Sequence, residues 1–304
     1  MAIKKISMTG TGGFIGSHFL SVCAKNNIAV QAIRDYKKNE NIEKYATENI
    51  INFEKFASFS EAIKTSDYFV HAACIPKKIA ENNEELSLRY GPQLTEKICE
   101  ACIENQIPLI YLSSAQVYKF TAGKIGVKEN AAKDRNSVYA KHKLLSENII
   151  IDYSKKYKLN FVILRPFNII GKNLSNLNRS TVENIFIKRV IKKQKIEFYS
   201  NPHNCMDFIG IDLVVKVIIN TMKKFHMANG QVINIGTGIP TSLYELAKYI
   251  CGDLKNDLIE LPAFINYPAE HLIADTTKMR DLLSIRSKNC LSEDLNFLYD
   301  EINK

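Results

Sequence analysis

Tyr139 and Lys143 stand four residues apart in a segment, 137–156, whose apolar spacing predicts a helix, so their side chains share one face. An ammonium beside a phenol favours the phenolate and is expected to draw the tyrosine pKa from about 10 toward neutrality. A phenol tuned in that way exchanges a proton with a carbonyl or alcohol oxygen. Ser114 precedes Tyr139 by 25 residues and leaves the end of an apolar run, where its hydroxyl can hold the same oxygen. Y-x-x-x-K alone is a frequent chance pairing on helices, and its weight here comes from a second motif near the amino terminus. Gly10, Gly13 and Gly16 form G-x-x-G-x-x-G between a short strand, 3–8, and a helical segment, 17–25. Strand, glycine turn and helix in that order make a phosphate-binding unit. Glycine lets backbone approach a pyrophosphate, and the helix supplies free N–H groups at its positive end.

Both motifs need a scaffold. Strand-like runs recur at 28–34, 50–53, 68–73, 109–113 and 161–165, with helical stretches at 56–63, 84–105 and 137–156 between them. Such alternation predicts right-handed crossovers and an α/β fold, a Rossmann-type doubly wound parallel sheet whose ligands lie beyond the carboxyl ends of its strands. After Gly171 the rhythm changes to helices at 181–193, 212–225 and 242–251 around a strand at 231–235. The expected division is a dinucleotide-binding domain with the catalytic residues, 1–170, and a smaller mixed α/β substrate lobe, 171–304. The chain is expected to cross back to the sheet around 205–240.

Composition narrows the function classes. With 46% hydrophobic and 24% charged residues the chain reads as globular, and no apolar run approaches the roughly 20 residues needed to span a bilayer. The first residues lack a signal-peptide pattern, and the seven cysteines are scattered and odd in number, which predicts reduced thiols and a cytoplasmic protein. Cys99-x-x-Cys102 has no second pair and lies in a helical pattern, so it reads as packing and no metal site is expected. The formal charge of +9 is spread over lysine pairs such as Lys155-Lys156 and Lys192-Lys193 without a basic stripe. Nucleic acid is therefore not the expected partner; a diffuse positive field suits a phosphorylated substrate or cofactor.

The motifs together resemble the extended short-chain dehydrogenase/reductase family, also called NAD-dependent epimerases/dehydratases, most of which act on nucleotide sugars. The resemblance rests on Thr9–Gly16 (TGTGGFIG), His71-Ala72-Ala73, Ser113-Ser114, Tyr139-x-x-x-Lys143 and Leu164–Gly171 (LRPFNIIG). It continues through Asp207-Phe208-Ile209, Asn234–Gly238 (NIGTG) and Pro268-Ala269-Glu270. It implies that Ser114 and Tyr139 are catalytic, with Lys143 binding the nicotinamide ribose and lowering the tyrosine pKa. It implies a pyrophosphate cradle of Gly10, Gly13, Phe14, Ile15 and Gly16, an adenine contact at Phe53 or Glu54, and a cofactor lying against Ala72 and Ala73. Pro166 belongs to the cofactor set, and Asn168, with Ser114 and Gln116, to the substrate set. Relatives usually form homodimers through the helices beginning near Glu84 and Ser137.

Departures from the family pattern refine these expectations. Where NAD-using relatives carry an acid at the end of the second strand, this chain has Arg34, followed by Asp35 and Lys37-Lys38. An arginine there pairs with a 2′-phosphate, so NADP is the expected cofactor; in the rival reading, for NAD, Asp35 reaches the ribose and Arg34 stacks on adenine. Family 4,6-dehydratases carry Thr-Asp-Glu where this chain has Ser114-Ala115-Gln116, which leaves hydride transfer without water elimination. Arginines that relatives place before the DF and PGE-like motifs are replaced by Met206 and Tyr267, with Arg179 or Arg189 as candidate substitutes for phosphate recognition. Gly91-Pro92 interrupts the 84–105 helix pattern, and because proline is tolerated in a first turn the preceding segment is expected to break into a loop or a separate helix. The expected function is reduction of the keto group of a nucleotide-linked deoxysugar. The alternatives are a nucleotide-sugar epimerase with tightly bound NAD and, with less support, a noncatalytic NAD(P)-binding sensor.

Overall fold

A computed structural model describes residues 3–34, 47–50, 56–122, 126–171, 181–252, 258–262, 268–287, 291 and 295. Asp35, Phe53, Glu54, Arg179 and Tyr267 lie outside the described residues.

The first half alternates as its pattern predicts. Strands β1 (Lys5–Thr9), β2 (Ala29–Arg34), β3 (Thr47–Ile50), β4 (Tyr68–His71) and β5 (Leu109–Leu112) are joined by helices α1 (Phe14–Lys25), α2 (Phe56–Ile63), α3 (Lys77–Asn82), α4 (Glu84–Leu88) and α5 (Leu94–Glu104). A short β6 (Thr121–Ala122) leads to the long α6 (Val138–Tyr157), then β7 (Phe161–Pro166) and β8 (Asn168–Ile170). The rest holds α7 (Val182–Ile191), β9 (Cys205–Met206), β10 (Phe208–Gly210), α8 (Ile211–Lys223), α9 (Phe225–Ala228) and β11 (Gln231–Ile235). It ends with β12 (Thr241–Ser242), α10 (Leu243–Cys251), β13 (Glu270–Leu272) and α11 (Thr277–Leu283).

The central sheet has seven parallel strands in the order β11-β7-β5-β4-β1-β2-β3. Six were expected from the alternating half; the seventh, β11, returns from the second half to pair with β7. The strands are apolar on both faces because helices cover both. One face packs Ile6, Met8 and Val70 against Phe19 and Leu20 of α1 and Val214 and Ile218 of α8. The other packs Phe69, Leu109 and Tyr111 against Ile98 and Cys102 of α5 and Ile150 of α6. Cys99 and Cys102 are both buried, and burial pushes their thiols up, as helix packing requires.

The 84–105 stretch carries the interruption expected at Gly91-Pro92 as one π-helical turn, Arg89–Gln93, set between α4 and α5 with right-handed helical backbone at Leu88, Arg89, Gln93 and Leu94. Pro92 inside it has no N–H to give, so the ladder widens by a residue, and Thr95 Oγ1 donates to the Gly91 carbonyl at 2.8 Å.

The strand order reverses between β1 and β4, which opens a crevice at their carboxyl ends. A second body of small strands and helices stands beyond that edge. There β8 pairs with β10, and β12, β9, β13 and β6 form a four-stranded sheet. Its core joins Phe186 and Ile187 of α7 to Leu246 and Ile250 of α10.

Candidate active site

The glycine turn fills the crevice between β1 and β4. Gly10 has φ +78°, and a Cβ there would stand 2.6 Å from Ala73 N and 2.7 Å from Ala72 C. A Cβ on Gly16 would lie 2.2 Å from Gly10 O. These two glycines therefore let the turn press against the exit of β4 and let α1 start directly behind it. Thr9 Oγ1 ties the turn to His71 Nδ1 at 2.8 Å, and Ala73 N donates to Thr9 Oγ1 at 3.3 Å. Gly12 and Gly13 are exposed at the mouth, and α1 has no acidic residue in its first turn to neutralise its positive end. Thr11 Oγ1 is buried without a hydrogen-bond partner in the structure. An uncompensated helix end, close backbone and an orphaned hydroxyl fit the pyrophosphate of a dinucleotide. Because Thr9 pairs with Ile33, Arg34 emerges from β2 beside Gly10, where the far ribose of such a ligand would lie.

The second half of the site is built on α6 and the turn after β5. Ser114 caps a 3₁₀ turn, Ala115–Val117, by accepting from Gln116 N at 3.1 Å. Its hydroxyl faces that of Tyr139 closely enough to favour the phenolate. Lys143, one helical turn on, is buried and donates from Nζ to the Leu112 carbonyl at 2.7 Å, with Nζ 6.0 Å from the Tyr139 ring and 4.9 Å from that of Tyr111. Ser114, Tyr139 and Lys143 thus meet as their spacing anticipates. The expected drop in the tyrosine pKa is corrected here. Burial raises the Tyr139 phenol well above its ordinary range and Cys74 adds to the rise, while Lys143 and the Ser114 hydroxyl oppose it. The Lys143 ammonium favours the phenolate, but desolvation of the phenol outweighs it.

Other predicted residues are placed less directly. Asn168 donates from both its backbone N and its Nδ2 to the Asp207 carbonyl, at 3.1 and 3.0 Å, so its amide nitrogen is committed to the β8–β10 pair. Pro166 is buried at the end of β7, opposite Ile235. Gln116 accepts from Lys77 Nζ at 3.1 Å. Arg189, weighed as a phosphate ligand, is paired with Glu197 at 2.7 Å and with the Tyr199 hydroxyl at 3.0 Å.

Sequence reasoning passed over several residues that hold the site. Glu81 of α3 reaches the start of α6, accepting from Ser137 Oγ at 2.6 Å, Val138 N at 3.1 Å and Tyr139 N at 3.3 Å. Glu147 lies one further turn along the Tyr139–Lys143 face. Its carboxylate takes Arg165 Nε at 2.9 Å, Arg165 Nη2 at 2.5 Å and Ser113 Oγ at 2.5 Å. Arg165 also donates from Nη1 to the Tyr118 hydroxyl at 2.7 Å, and that hydroxyl donates to Asn234 Oδ1 at 2.7 Å. A charged residue inside the apolar FVILR strand and a carboxylate four residues after Lys143 were the available signals. Asp207 clamps the far wall, accepting from Thr237 N and Oγ1, Gly238 N and Ala274 N. Behind Tyr139 and Lys143 a small cavity is lined by Cys74, Ser87, Gly91, Tyr111, His142 and Ser146.

A family model for the NAD-dependent epimerase/dehydratase family matches residues 6–236. The chain belongs to that family. It is accordingly an enzyme of the extended short-chain dehydrogenase/reductase type. ADP-L-glycero-D-manno-heptose-6-epimerase of Brachyspira hyodysenteriae is 27% identical over 275 residues, which cover 85% of this chain and 84% of that protein. The fold matches UDP-glucose 4-epimerase with UDP-glucose from Thermotoga maritima at a TM-score of 0.85 and 21% identity, over 99% of this chain and 100% of that one. It also matches UDP-glucuronic acid 4-epimerase from Bacillus cereus in complex with UDP-glucuronic acid and NAD, at a TM-score of 0.83 and 22% identity, over 98% and 99% of the two chains. Among the described residues no helix is long and apolar enough to cross a membrane.

Proposed function

We propose that this chain reduces the keto group of a nucleotide-linked sugar, with NADPH as the preferred donor. The observation that carries this reading is the gathering of Ser114 and Lys143 around Tyr139, next to a turn (Ser114-Ala115-Gln116) without a carboxylate. A bound nicotinamide supplies the hydride. Gly10, Gly13, Phe14, Ile15 and Gly16 would hold its pyrophosphate, Ala72 and Ala73 would back it, and Lys143 would face its ribose. Ser114 and Tyr139 receive the substrate oxygen together, and the phenol, kept protonated by burial, gives that oxygen its proton as the carbon is reduced. Lys143 stabilises the phenolate that remains until a proton returns. Arg34 at the ribose edge supports the 2′-phosphate of NADPH.

A second reading, epimerisation with a retained and recycled NAD, is favoured by the activities named for the relatives. The two part on one measurement. Purified protein that consumes added NADPH with a keto nucleotide sugar fits the first. Protein that carries stoichiometric NAD and interconverts sugar nucleotides without added cofactor overturns it in favour of the second.

A further inference from the structure

Helix α3 touches the site at two points. At one end Glu81 holds the backbone of Val138 and Tyr139. One turn earlier, on the same face of α3, Lys77 reaches the turn after β5, where its Nζ donates to Gln116 Oε1 at 3.1 Å. Gln116 N is bonded in turn to Ser114 Oγ, which faces the Tyr139 hydroxyl. An ammonium thus stands two contacts away from the pair that would receive the reacting oxygen.

The partner Lys77 holds is a neutral amide, a weaker acceptor for an ammonium than a carboxylate. Glu81, the acid that faces it from its own helix, already accepts three donors at the start of α6. The residues Ser114, Ala115 and Gln116 bring no negative charge to repel an incoming anion. Lys77 is also exposed, so its head can swing from Gln116 to a ligand at little cost.

We infer that Lys77 is a specificity-determining residue that takes an anionic group of the substrate, a carboxylate on the sugar ring near the reacting carbon. Gln116 holds the ammonium in place until the substrate arrives. The preferred substrate class would then be the uronate form of a nucleotide sugar rather than the neutral hexose. This rests on the reading of the site as a nucleotide-sugar site.

The test is calorimetric binding of UDP-glucuronate and UDP-glucose to the full chain at saturating cofactor. One charge-assisted contact predicts about tenfold tighter binding of the uronate. That ratio should fall to near one in Lys77→Met, persist in Lys77→Arg, and shrink with added salt as exposed charges are screened. Equal affinities in the unmodified protein overturn the inference alone. A Lys77→Met variant that weakens both ligands equally assigns the ammonium to the diphosphate instead and also overturns it. Binding of neither sugar nucleotide, with cofactor binding intact, overturns the nucleotide-sugar reading itself.

Discussion

Tyr139 is subject to two opposing influences, and burial prevails over the nearby ammonium. A phenol held protonated is suited to give a proton to a carbonyl oxygen and poorly suited to take one from an alcohol at neutral pH. Reduction should therefore stay flat from about pH 6 to 8, while oxidation of the corresponding alcohol should accelerate as pH rises further. A reduction rate that titrates away near neutrality would contradict the raised phenol. Tyr139→Phe should lower kcat by about 10²–10⁴-fold with cofactor affinity kept, read by steady-state kinetics and a cofactor titration. At the other end of the crevice, Arg34→Ala should weaken NADPH about tenfold or more and leave NADH nearly unchanged, because only the former offers a 2′-phosphate. Parallel fluorescence titrations would show this, and equal losses for the two cofactors would remove Arg34 from phosphate recognition.

Helix α6 carries Tyr139 and Lys143, for which a catalytic role is proposed, and three neighbouring elements fix it. Its start is held by Glu81 from α3, its second turn by the Lys143 bond to β5, and its third turn by the Glu147–Arg165 pair to β7. The last is a buried ion pair, with side chains only 3% and 5% exposed. Replacing one member leaves the other charge buried and uncompensated. Glu147→Gln should accordingly cost about 3–5 kcal/mol of stability in urea unfolding, far more than an exposed pair would. A loss below about 1 kcal/mol would mean that water or Tyr118 takes over the guanidinium. The π-helical turn at Arg89–Gln93 belongs to this scale as well, since Pro92 widens a helix that apolar periodicity alone draws as regular.

The whole molecule is joined through its central sheet. Val214, Ile218 and Ile233 from the second half complete the core that Ile6, Met8 and Phe19 begin. A fragment ending at residue 170 would expose that face, so it should lack cooperative thermal unfolding by circular dichroism despite containing both motifs. His71 couples β1, β4 and α5 through Thr9 at 2.8 Å and Thr95 at 3.3 Å. Burial, aided by Lys143, lowers its pKa to about 3. The unfolded chain then binds a proton below about pH 6.5 that the folded chain refuses. Stability from this group is full above that pH and falls as pH drops toward 3. His71→Asn should flatten that slope in urea midpoints measured across the window, and an unchanged slope would assign acid sensitivity to the carboxylates.

Local order in the chain was enough to locate the residues on which the proposed chemistry rests. A glycine turn works through backbone geometry, and Tyr139 and Lys143 work through helical spacing, so each could be recognised within a few residues of sequence. The alternating strands and helices likewise specify a doubly wound sheet, because short connections leave few other ways to bury both faces of apolar strands. What tertiary structure decided lies in contacts between distant residues. Glu81 caps a helix 57 positions away, Ser113 and Arg165 converge on Glu147, and Lys77 meets Gln116 across 39 positions. The direction of the Tyr139 shift was decided in the same way. Spacing places an ammonium near the phenol, but the balance between charge and desolvation depends on everything else packed around it.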